Sequence, residues 1–141
     1  MLVTMFRYIT TKVNAYKEYA PALLRISMAL VFLYFGTQQL INTDEFVYYL
    51  PLFLQESSYA TTLIIANGIF EVIAGTLLLL GLFIRPVAFL LAGHLALITI
   101  EMYMAGSAHT AVRDVGLTLA TFAVFLWGSD VWSLEEKLWK K

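Results

Sequence analysis

Four apolar runs, each interrupted by polar or charged residues, constrain this chain more than any other feature. Residues 23–40, 61–82, 86–104 and 112–127 are each about long enough, at ~1.5 Å per residue, to approach or cross the ~30 Å hydrocarbon layer of a bilayer. Together they make up over half of the chain, leaving almost no soluble part. Of the residues, 60% are hydrophobic, against ~45–50% in a soluble domain. These features predict an all-α bundle of four transmembrane helices.

The length of 141 residues allows one compact unit. A formal net charge of -1 gives no reason to expect nucleic acid as a partner. The chain has no cysteine, which excludes disulfides, thiolate metal sites and thiol redox chemistry within it. No phosphate loop, nucleophile elbow or dinucleotide fingerprint is present, which argues against a self-contained enzyme with nucleotide or acyl chemistry.

Leu2, Met5, Phe6, Ile9, Val13 and Tyr16 recur at helical spacing, with Arg7, Lys12 and Lys17 among them. Residues 1–19 therefore read as an amphipathic helix lying on the membrane surface, and no removable targeting segment is expected. Residues 20–128 form the four-span unit and 129–141 a tail helix. Ser133 and Glu136 form a capping box for that tail. Positive charge sets the orientation: the N-terminal segment, the second link (Arg85) and the tail (Lys137, Lys140, Lys141) fall on one face. Residues 42–60 and 105–111, with no Lys or Arg, fall on the other. The positive-inside rule then places both termini in the cytoplasm of a plasma-membrane protein, with Trp127, Trp132 and Trp139 at the inner interface.

Gly81 and Pro86 bracket a short link between spans two and three. The stretch 46–54 (FVYYLPLFL) is too apolar for a solvated loop and is expected to break and pack over the outer helix ends. Small residues at four- or seven-residue spacing mark close helix packing: Ala88, Ala92 and Ala96; Gly116 and Ala120; Gly68 and Gly75. A monomer this small leaves most helix surface to lipid, which makes room for a homodimer or heteromer.

Glu71 lies near the middle of span two. An ionised carboxylate facing lipid there costs roughly 2.5–3.5 kcal/mol, so it is expected to face the bundle interior, paired or protonated. Asn67 lies one turn away on the same face. Residues 115–127 span only about 20 Å, so Arg113 and Asp114 must be drawn partway into the bilayer. Arg113 shares a face with Gly116 and Ala120 and is expected to point at a close neighbouring helix. Its guanidinium has the reach to bridge Glu101 and Glu71, while Arg25 competes for Glu71 from span one. His94 is mid-span in helix three, and no zinc-type spacing accompanies it. Gln38 and Gln39 close span one, lining a polar mouth or binding headgroups.

Three stretches together resemble the DoxX/DoxD-like family of small four-helix membrane proteins. The first is Leu24-Arg25-Ile26 through Phe32-Leu33-Tyr34-Phe35-Gly36, followed by Gln39 where the family often has lysine. The second is Gly68-Ile69-Phe70-Glu71 through Gly75, then 77–81 and Arg85-Pro86. The third is Arg113-Asp114-Val115-Gly116-Leu117. The resemblance runs from about residue 22 to 127. It implies a four-span bundle and association with redox systems. One branch of the family is a subunit of a thiosulfate:quinone oxidoreductase, and others accompany thiol-handling enzymes.

Three functional expectations follow. The first is a membrane subunit of a quinone-linked redox complex, working with redox partner subunits. Glu71, Arg113 or His94 would contact the quinone, and Tyr34, Phe70 and Tyr103 would flank its ring. The second is a small transporter or binding protein for an anionic or lipidic solute, entered past Gln38, Asn67, Glu101, Arg113 and Asp114. The third is a ligand-free structural or assembly module. No metal is expected.

Overall fold

The computed structural model describes residues 1–139. Four of its helices are long and apolar enough to cross a membrane, covering Lys17–Ile41, Ala60–Leu80, Ile84–Met104 and Ala108–Trp127. No strand occurs among the described residues. The chain is an integral, multi-pass membrane protein built as a four-helix bundle.

The helices are α1 (Leu2–Asn14), α2 (Ala20–Ile41), α3 (Leu52–Gln55), α4 (Ala60–Leu80), α5 (Ile84–Met104), α6 (Ala108–Trp127) and α7 (Leu134–Trp139). No residue of α1 is buried, so its apolar stripe of Leu2, Phe6, Ile9 and Val13 lies open. The broken segment expected after the first span is present, as a 3-10 stretch, Thr43–Tyr49, followed by the single turn of α3. The 3-10 stretch packs on α2, α4 and α5 and roofs the bundle at the end away from the termini.

Packing is uneven. α2 lies mainly on α4 and α5 mainly on α6, and the two pairs meet less intimately. Between lipid-facing helices there is little hydrophobic gain on association, so close backbone approach and polar links decide the arrangement. Small residues of α2 and α4 supply the first. A Cβ built on Gly36 or on Gly68 would come within 2.9 Å of the opposing helix's backbone, and one on Gly75 would crowd Leu33. Ala88 and Ala92 on α5 are likewise buried. Gly116 departs from expectation: nothing lies within 4 Å of a Cβ built there, so it faces away from the neighbouring helices. The shared core is formed by Met28, Ala29, Phe32, Leu78, Ile84, Leu91 and Val124.

The tail closes the other end. Gly81 ends α4 in a left-handed conformation (φ 71°), with Leu82 N–H donating to Leu77 O as in a Schellman cap. The tail then packs over this turn: Glu135 N–H donates to Gly81 O at 3.0 Å, and Ile84 N–H donates to the Glu135 carboxylate at 3.2 Å. Ser133 is fully buried beneath Gly81 and accepts the Glu136 N–H at 3.2 Å, the backbone half of the expected capping box.

Candidate functional site

The roof segment and all four long helices enclose a cavity of about 60 Å³. Phe32 and Phe35 from α2, Ile64 from α4, Leu95 from α5 and Phe46 and Tyr49 from the roof form much of its apolar wall. Gln39, Asn67, Glu71, Arg113 and Asp114 form its polar part.

Glu71 is 3% exposed and faces the bundle interior. Neither arginine reaches it. Gln39 Nε2 donates to Glu71 Oε2 at 3.0 Å, and Asn67 Nδ2 donates to Glu71 Oε1 at 3.1 Å. Asn67 Nδ2 also donates to Gln39 Oε1 at 2.7 Å, which closes a ring of three side chains. His94 Nε2 stands 3.1 Å from Glu71 Oε1. With an ionised Glu71, the Nε2–H form of the imidazole completes the set of donors. Phe70 packs edge-on against the imidazole, with ring centroids 5.5 Å apart.

The positions of the arginines correct the sequence reading. Arg25 is 1% exposed and turns toward the end carrying the termini. There it grips Asp130 with two nitrogens, at 2.7 and 3.2 Å, and donates to the carbonyls of Leu78 and Leu79. The rival cation for Glu71 is therefore engaged elsewhere, by an acid that lies past the last span. Arg113 bonds the neighbouring Asp114 at 2.7 Å, and its side chain is 48% exposed. Its guanidinium lies 5.6 Å from the centre of the Phe35 ring, with the Tyr49 phenol beside it. It thus faces Phe35 of the neighbouring α2, as expected, and lines the cavity without reaching Glu71. Asp114 is 2% exposed. Glu101 is only half-buried and forms no ion pair among the described residues, so it does not join the site.

Gln38 stays outside the cavity and accepts a bond from Asn42 at 2.8 Å. Of the aromatics expected around a ligand, Tyr34 and Tyr103 are exposed at 60% and 72%, and only Phe70 approaches the cluster. Phe32, Phe35, Phe46 and Tyr49 take that place. Phe46 and Tyr49 belong to the segment too apolar for a loop, and that was the available signal. Among the described residues, no group of three or more His, Asp or Glu side chains is arranged to hold a metal ion.

This arrangement, four spanning helices around an interior Glu71, defines a small integral membrane protein with a polar pocket inside its bundle. The DoxX family model matches residues 20–105, over half of the chain, and the protein belongs to the DoxX family. A relative from Haemophilus influenzae, named "Uncharacterized protein", is 29% identical over 135 residues, covering 89% of this chain and 96% of its own. No solved structure matches significantly.

Proposed function

We propose that this chain is the membrane subunit of a quinone-linked redox complex and that the cavity beside Glu71 receives the quinone's polar edge. The observation that carries this reading is a carboxylate held by neutral donors and an imidazole at the edge of an apolar, aromatic-walled cavity. A concave apolar pocket with a few convergent polar groups is the usual mark of a ligand site. When bound, a quinone supplies exchange of two electrons with two protons, and a partner subunit would provide the electron path. The residues suit such a guest. Phe35, Phe46 and Tyr49 offer ring surfaces, Arg113 and the amides offer donors, and the Glu71–His94 pair holds a proton at Oε1 or Nε2 for transfer.

Size limits the fit. A cavity of about 60 Å³ is smaller than the ~150 Å³ that houses benzene. Only an edge of the ring enters, and the remainder lies against the aromatic roof. The same small volume, with the half-exposed Arg113 beside it, supports a second reading as a site for a small anionic solute. Uptake insensitive to Arg113→Ala would remove that alternative. The excess of Lys and Arg on the face of the termini supports reading both termini as cytoplasmic in a plasma-membrane protein.

The test is titration of the purified protein with a short-chain ubiquinone, followed by intrinsic fluorescence. Saturable binding is expected. It should weaken at least tenfold in Glu71→Gln and remain unchanged in Glu101→Gln. Absence of saturable binding, together with unchanged quinone reduction in cells carrying Glu71→Gln, would overturn the proposal.

A further inference from the structure

A second cavity, of about 230 Å³, opens at the end of the bundle that carries the termini. It shares no residue with the Glu71 cavity. Lys17, Pro21 and Leu24 line it around the start of α2, and Ala123, Trp127 and Gly128 line it near the end of α6. Lys17 supplies its only charge.

We propose that this groove binds an anionic phospholipid, with one acyl chain between Leu24, Ala123 and Trp127 and the phosphate at Lys17. The volume exceeds the ~150 Å³ that admits a benzene ring, and an apolar lining gives water too few of the two to four polar partners it needs. Trp127 is 62% exposed and Ala123 is open, so the groove faces the surroundings of the bundle. A chain can therefore enter sideways from the bilayer. Lys17 forms no ion pair among the described residues. The acids at the same end do not compete equally for it. Asp130 is taken by Arg25, Glu135 bonds the Ile84 amide and Glu136 has a partner of its own, which leaves the adjacent Glu18 as the near opponent. Arg7 and Lys12 on the open α1 lie outside the groove lining, so Lys17 is the cation that the proposal rests on. Basic pockets between membrane helices are built for anionic headgroups in this way.

The experiment uses the full chain carrying Trp132→Phe and Trp139→Phe, so that Trp127 is the one remaining tryptophan. The protein is placed in phosphatidylcholine nanodiscs containing a minor fraction of either acyl-brominated phosphatidylglycerol or acyl-brominated phosphatidylcholine. Bromine on the anionic lipid should quench Trp127 at about fivefold lower lipid fraction, the effect of one cation near an anionic headgroup. Lys17→Gln should remove that preference, whereas Arg7→Gln with Lys12→Gln should leave it. Ala123→Phe, which fills the groove, should reduce quenching by both lipids. Equal quenching by the two lipids overturns the proposal, as does a preference that survives Lys17→Gln or is lost only with the α1 cations. Inorganic phosphate should not reduce the preference. If it does, Lys17 reads a free anion and the lipid assignment fails.

Discussion

Gly36 and Gly68 meet backbone to backbone across α2 and α4: a Cβ on either would sit 2.9 Å from the other's carbonyl oxygen. A Cβ built on Gly36 would also come within 2.9 Å of the Glu71 Cβ, so the contact that joins the helices also sets where the carboxylate stands. Gly36→Ala and Gly68→Ala should each lower stability by about 1–3 kcal/mol, the cost of overpacking a closed contact. Gly116→Ala, in open space, should be close to neutral. Thermal melts in detergent decide between them, and equal tolerance of all three would contradict the close approach.

Breaking the Arg25–Asp130 pair leaves one charge buried without its partner. Asp130→Asn or Arg25→Gln should cost about 3–5 kcal/mol. Arg25→Met combined with Asp130→Leu should cost less than the sum of the single changes. A double-mutant cycle on melting curves measures the coupling, and strict additivity would mean that the pair contributes nothing as a pair.

Gln39 is the hinge of the amide ring, since it donates to Glu71 and accepts from Asn67. Gln39→Leu should destabilise by about 1–3 kcal/mol, because buried polar groups lose their partners. Gln39→Lys should be better tolerated, since an ammonium supplies a donor to the same carboxylate. Comparing folded yield and melting temperature of the two variants checks this order, and a Lys variant less stable than the Leu variant would refute it.

The roof has its own pH signature. The Tyr48 phenol is pushed up to about 12, first by burial and then by its hydrogen bond with Tyr49, although half of the residue remains open. The unfolded chain loses this proton near pH 10 and the folded chain near pH 12. Any stabilisation from this group is therefore complete below pH 10 and falls as pH rises toward 12. The phenolate absorbance difference between the parent and Tyr48→Phe isolates the titration, and a midpoint near 10 would exclude the shift.

The four spans were legible because hydropathy and length set them independently of tertiary detail. The inward orientation of Glu71 was legible because lipid penalises the alternative, and its link to Asn67 followed from one turn of helix. Its bond to Gln39 was not, since that depends on the rotation of α2 against α4 set by Gly36 and Gly68. Arg25 was assigned the wrong rival role because its true partner, Asp130, lies beyond the last apolar run in a turn that only the closed fold brings back. The reading of Gly116 as a contact failed for a related reason. Spacing reveals that a face is smooth, not which way it turns.

The clasp between Arg25 and Asp130 has a consequence for biogenesis. A ribosome delivers the first span well before the residue that neutralises it, and until then the Arg25 guanidinium has only the α4 carbonyls of Leu78 and Leu79 to bind. A polypeptide cut short before position 130 keeps every apolar span yet lacks the counterion of its first. The clasp can therefore close only once position 130 has been made and folded back over the bundle.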